Sequence, residues 1–155
     1  MELIVMPKGS KFIVQDKKSR LLYTIKKKGF GVKYNLLDAS NYNLYTLTQL
    51  NEGKKPVFSI ILNDDVFMKL SCESLFLDPT INGEGDGMRF SIASTDRKNF
   101  TIIKNDAKVG TIKTVQQLSG DLQYEIEIDN AAFDDYIPLF ALALDISFGD
   151  INKNK

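Results

Sequence analysis

The hydrophobic and polar positions divide this chain into a long first part, where they change over short distances, and one late segment where they do not change at all. From Ile137 to Leu144 (Ile-Pro-Leu-Phe-Ala-Leu-Ala-Leu) every side chain is apolar, with Asp134-Asp135 before the run and Asp145 after it. A helix on a protein surface buries one stripe and shows the rest to water, so a helix apolar on every face is predicted to be enclosed all round. The run is far short of the roughly 20 residues that a bilayer span needs, and the enclosure is therefore expected to be protein. Asp134 or Asp135 suits the N-cap, acidic charge suits the start of a helix, and Pro138 is tolerable only within the first turn. A helix is thus predicted from about Asp135 to Phe148, about 21 Å long at 1.5 Å per residue. Its height matches a strand of six or seven residues.

Upstream, a hairpin pattern recurs. Phe12-Ile13-Val14-Gln15-Asp16, a polar turn and Leu22-Tyr23-Thr24-Ile25 are followed at the same spacing by Tyr34-Asn35-Leu36-Leu37-Asp38, a turn and Leu44-Tyr45-Thr46-Leu47. A third copy, one residue tighter, runs Phe100-Thr101-Ile102-Ile103, Asn105-Asp106, Val109-Gly110-Thr111-Ile112. Branched and aromatic residues dominate the arms, and Asp, Asn, Ser and Gly fill the turns, as antiparallel strands require. The invariably apolar positions Leu22 and Ile25 have opposite parity, which a bulge or a wall covered on both sides would explain. Further strands are predicted at Leu3–Met6, Val57–Leu62, Val66–Leu70, Leu75–Ile81, Met88–Ala93 and Leu122–Ile128, about twelve in all. The expected architecture is mainly β, an antiparallel barrel closed around the C-terminal helix, in one domain spanning residues 1–155.

Composition excludes more than it suggests. The chain has no histidine, which removes Ser-His-Asp and Cys-His catalysis and histidine-ligated zinc. Carboxylate pairs, lysine chemistry or an oxygen-ligated metal would remain, but no constellation for them is readable, and neither enzyme activity nor a cofactor is expected. Cys72 is the only cysteine, so no internal disulfide forms and a buried small hydrophobe is the expectation. Net charge is zero, with 12 basic against 7 acidic residues up to position 77 and 8 against 13 beyond it. That asymmetry would make the molecule two-sided only if strands of the two halves did not interleave.

The Phe-x-Val-x-Asp and Leu-Leu-Tyr-Thr-Ile opening (Phe12 to Ile25), the Phe100–Ile103 hairpin and the Leu139–Ile146 segment together resemble the tubby C-terminal-like fold, and among its branches most closely the LURP-one-related proteins. The likeness covers nearly the whole chain and rests on structural motifs. It implies a barrel of about twelve strands around a hydrophobic helix. Tubby proteins bind phosphoinositides through basic residues on the barrel and phospholipid scramblases share the fold, so the resemblance also implies contact with phospholipid.

Two local features carry candidate chemistry. Lys26-Lys27-Lys28-Gly29-Phe30-Gly31-Val32-Lys33 reads as a basic hairpin tip with an aromatic between glycines, suited to anionic headgroups through Lys26, Lys27, Lys28 and Lys33 with shallow insertion of Phe30. The bland alternative is a solubilising turn. Asn82, Glu84 and Asp86 resemble half of a calcium loop, but Ala93 stands where the closing glutamate belongs, so no metal site is expected and a Gly-rich turn is. A pI near 6.3 gives no broad footprint for nucleic acid. The function expected is a non-enzymatic binding or adaptor module that attaches weakly to anionic phospholipid surfaces. The alternatives are a protein-protein module without lipid binding, and a barrel carrying a small apolar ligand, which the central helix opposes. No signal peptide, transmembrane run, myristoylation glycine at position 2 or prenylation cysteine in the last four residues is readable. The expected location is the cytoplasm, peripheral to a membrane.

Overall fold

The computed structural model describes residues 1–51 and 55–153. Twelve strands and one long helix form in the order β1 Glu2–Lys8, β2 Lys11–Gln15, β3 Leu21–Lys27, β4 Lys33–Asp38, β5 Asn43–Gln49, β6 Val57–Leu62, β7 Asp65–Ser74, β8 Thr80–Gly85, β9 Met88–Ala93, β10 Asn99–Lys104, β11 Ala107–Gln116, β12 Leu122–Ile128 and α1 Pro138–Lys153. Every strand pairs antiparallel with its sequence neighbours, and β1 closes the barrel on β12 with Leu3 opposite Ile126 and Val5 opposite Tyr124. The amino terminus fastens this seam by donating to the Ile128 carbonyl at 2.9 Å and to Asn130 Oδ1 at 2.7 Å.

The helix fills the barrel. Every residue from Tyr136 to Leu144 is buried, and Ile137, Leu139, Phe140, Ala141 and Ala143 have no exposed surface at all. Around them the inward residues of the wall, among them Val5, Val14, Ile25, Leu36, Leu47, Phe58, Ile60, Leu70, Ile92, Ile102 and Ile112, form one continuous core. Tyr136 centres its aromatic part, with Tyr45, Phe67, Phe90 and Phe140 rings 5.5 to 6.0 Å away. The helix begins three residues later than predicted. Residues 135–137 make a tight turn in which Ile137 N–H donates to the Asp134 carbonyl, and Pro138, which has no N–H to satisfy, takes the first helical position. Asp135 does not cap the helix; its carboxylate accepts the Tyr23 hydroxyl at 2.5 Å, tying the start of the helix to the wall.

The parity conflict between Leu22 and Ile25 is a bulge, and bulges of this kind occur on four strands, β3, β5, β7 and β11. Val14 pairs with Tyr23 and Gln15 with Leu21, so Leu22 is the extra residue. In the same way Leu44, Phe67 and Val109 are extra on β5, β7 and β11. Each bulged residue is apolar and packs against the core, while the residue three positions on (Ile25, Leu47, Leu70, Ile112) has no exposed surface. An inserted residue shifts the alternation by one, letting two positions of opposite parity face the same side.

One predicted strand is displaced. Leu75 to Asp78 are not in a strand; they form the turn between β7 and β8, with Asp78 at a positive φ of 49°, and β8 starts only at Thr80. The expected Gly-rich turn shrinks correspondingly to Asp86-Gly87, and Asn82 to Gly85 belong to β8. Gly85 is there because a Cβ would lie 2.2 Å from the Phe67 carbonyl oxygen, where β8 closes on the bulge.

A half-buried carboxylate lies lower on the helix. Asp145 accepts the Tyr124 hydroxyl at 2.8 Å; burial pushes its carboxyl above the ordinary value of 3.8, and the hydrogen bond only partly offsets this. Ionised Asp145 is therefore disfavoured by folding. The destabilisation is absent well below pH 3.8, grows as pH rises from there, and is complete above the raised folded value. Asp145→Asn, which retains an acceptor for Tyr124, is expected to melt higher than wild type at pH 7, with the gap closing as pH falls toward 3.8. Calorimetry across pH checks both the sign and the convergence. Leu142→Asp is expected to abolish folding, because an isolated carboxylate in that core costs several kcal/mol out of a typical net stability of about 5–15 kcal/mol. Soluble Leu142→Asp protein with a cooperative melt would contradict the filled barrel.

Candidate functional site

Since strands alternate in direction, the barrel has two ends of different make-up. One end carries the even-to-odd turns, the amino terminus and the start of the helix. The other carries the odd-to-even turns and the end of the helix, where the Asn152 side chain donates to the Arg97 carbonyl at 3.3 Å. At the first end, aspartates organise the turns: Asp16 Oδ1 accepts the N–H groups of Lys18 and Arg20, and Asp38 Oδ1 those of Ser40 and Tyr42. Those backbone bonds hold the Asp16 carboxyl below its usual range. The ion pairs among the described residues, Lys17–Glu2, Arg20–Asp16 and Arg89–Asp106, also lie there.

The predicted basic tip is at the other end, between β3 and β4. Lys28 N–H donates to the Lys33 carbonyl at 2.8 Å and closes the turn. Gly29 and Gly31 adopt φ of 67° and 74°, a left-handed conformation that glycine alone takes without steric cost, and the two bends lift Phe30 until it is 103% exposed. The structure thus brings Lys26, Lys27, Lys28, Lys33 and Phe30 together on one hairpin.

It adds two lysines that were not singled out from sequence. The adjacent β1–β2 hairpin turns at Gly9-Ser10, with Lys8 opposite Lys11, and Lys11 in turn lies opposite Lys26 on β3. Like charges placed directly across a ladder repel, and no ion pair among the described residues relieves them. Six lysines on two neighbouring hairpins therefore hold a concentrated positive field. The signal for Lys8 and Lys11 was present in the Lys-Gly-Ser-Lys turn, but the cross-strand register that puts Lys11 beside Lys26 is not local information.

The remaining candidates fall to structural roles. Asn82 and Glu84 share the outer face of β8, and the Asn82 amide donates to Glu73 at 2.5 Å; Asp86 is in the next turn, paired with nothing that would complete a metal shell. Cys72 is buried, and burial pushes its thiol up, away from the reactive thiolate. Tyr23 and Tyr124 donate to Asp135 and Asp145, and burial raises both phenols, so they remain hydrogen-bond donors. Among the described residues, no group of three His, Cys, Asp or Glu side chains could hold a metal ion, and no helix is long and apolar enough to cross a membrane.

Comparison with known proteins places this architecture. No curated protein matches the chain. A crystal structure of an Arabidopsis thaliana protein aligns over 97% of this chain and 90% of its own, with 19% identity and a TM-score of 0.44. The sequence description of the LURP-one-related family matches residues 2–146, from the first strand of the barrel to beyond the apolar run of the central helix. The chain belongs to the LURP-one-related family.

Proposed function

We propose that this protein is a non-enzymatic binding module that attaches reversibly to anionic phospholipid surfaces through the lysine-bearing end of its barrel. The observation that carries the reading is the run Lys8–Lys11–Lys26 across β1, β2 and β3, continued by Lys27, Lys28 and Lys33. A fold that places like charges opposite one another, with no ion pair to them among the described residues, gains from a negatively charged counter-surface. Phospholipid headgroups supply one as an extended plane, and each lysine near such a plane contributes about 1 kcal/mol. Six give on the order of 6 kcal/mol, which suits transient attachment. The filled interior supports a role for the outer surface over carriage of an apolar ligand, since Leu139, Phe140, Leu142 and Leu144 occupy the lumen.

Sedimentation with phosphatidylserine-containing vesicles at low and moderate salt tests the reading. Wild type is expected to pellet at low salt and to be released as salt rises, because exposed charges are screened. A Lys26/Lys27/Lys28→Ser variant is expected to remain largely in the supernatant, and Lys8/Lys11→Ser to show an intermediate loss. Wild type that stays in the supernatant at low salt would overturn the proposal, and a partner protein recovered on the same lysines would take its place.

A further inference from the structure

The lysines occupy only one side of their end of the barrel, and the rest of that end has an unusual property of its own. Six connections meet there, and their described residues are 9–10, 28–32, 50–51 with 55–56, 75–79, 94–98 and 117–121. Phe30, Leu50, Phe76, Leu77 and Leu118 lie on four of them, and Phe30, Leu77 and Leu118, at 103%, 85% and 110%, are the most exposed large hydrophobic residues described in the chain. None contributes to the core.

These tips are held out by ordered backbone. Arg97 donates from Nε and Nη2 to the Phe76 carbonyl at 3.2 and 2.8 Å, and its guanidinium lies 5.7 Å from the centre of the Phe76 ring. Arg97 is positioned in turn by the 94–98 turn, whose Asp96 accepts from the N–H groups of Lys98 and Asn99. Asp96 is thereby engaged internally. Leu118 sits at the tip of a turn closed by Gln117 N–H to the Asp121 carbonyl at 2.8 Å and Gly120 N–H to the Gln117 carbonyl at 2.9 Å. Leu77 and Leu118, held on ordered turns, gain nothing within the chain from facing water, and the arrangement of the exposed tips around one end matches a counter-surface that is apolar beneath a charged skin.

We propose that this whole end docks on the membrane, with Phe30, Leu50, Phe76, Leu77 and Leu118 entering the interfacial layer of an anionic bilayer while the six lysines meet its phosphates. The inference rests on the membrane reading above and deepens it: it names a second, apolar attachment signal and fixes the orientation, with the acidic, ion-paired end of the barrel pointing away. The lysine hairpins, with Lys8 opposite Lys11 and Lys11 opposite Lys26, set the choice of anionic lipid. The apolar tips slow release.

The chain has no tryptophan, so single substitutions report position without background. Phe30→Trp, Phe76→Trp and Leu118→Trp are placed at the docking end and Tyr42→Trp at the other; all four sites are exposed, and the variants are expected to fold. On mixed phosphatidylcholine–phosphatidylserine vesicles, emission is expected to shift to the blue at the first three and to stay water-like at Tyr42→Trp, with pure phosphatidylcholine giving much smaller shifts. A Phe76/Leu77/Leu118→Ser variant is expected to bind the mixed vesicles at least several-fold more weakly while keeping its salt dependence. If vesicles sediment the protein but only Phe30→Trp shifts, the rim inference is overturned and attachment by the lysine hairpin alone stands. A shift at Tyr42→Trp overturns the orientation. Failure of every variant and of wild type to bind overturns the membrane reading and this inference with it.

Discussion

Enclosure of α1 by the wall is the constraint on which the rest of this molecule depends. A helix apolar on every face has no stable place in water, and a twelve-stranded barrel without contents would leave a wide lumen that side chains of the wall cannot fill. Each solves the other's difficulty. The wall supplies a shell of aliphatic residues for Ile137 to Leu144, and the helix supplies volume that keeps the core closely packed. Two tyrosines, Tyr23 and Tyr124, reach from the wall to carboxylates on or beside the helix and fix its height and rotation.

The sequence shows why so much of this was readable and where reading stopped. The all-apolar run identified the helix because nothing in it competes with burial, whereas its start was misplaced: Asp134-Asp135 look like a cap, but Tyr23, remote in sequence, claims the Asp135 carboxylate. Three hairpins were recognised by an aliphatic-x-Thr-aliphatic signature whose first member proves to be the bulge. The fourth, Phe67-Met68-Lys69-Leu70, has the same bulge and the same buried fourth position but replaces threonine by lysine, which removed the signature without altering the geometry. Leu75-Phe76-Leu77 misled for the opposite reason. Its hydropathy reads as a strand, and only the fold reveals that Leu75 packs at the edge of the core while Phe76 and Leu77 are left in water. At the candidate site, Lys26 to Lys33 were legible as a local run, while Lys8, Lys11 and the ring of exposed apolar tips needed the register and the closure of the barrel.

A filled lumen directs attention to the ends. The two ends differ in make-up: aspartate-ordered turns and the ion pairs among the described residues lie at one, while the lysine hairpins and the most exposed large apolar residues described, Phe30, Leu77 and Leu118, lie at the other. Turns tolerate such surface chemistry because the strands behind them already satisfy their own hydrogen bonds and bury their own core, so that residues at the tips are free to serve contact with something else.

Hydrogen exchange followed peptide by peptide, with and without phosphatidylserine-containing vesicles, tests the filled barrel acting through one end most directly. The account predicts that amides of residues 139–144 exchange only through global unfolding in both conditions. It also predicts that vesicles slow exchange in the turns at 28–32, 75–79 and 117–121 and leave those at 16–20, 39–42 and 105–106 unchanged. Rapid exchange in the helix, or slowing confined to the opposite end, would contradict it.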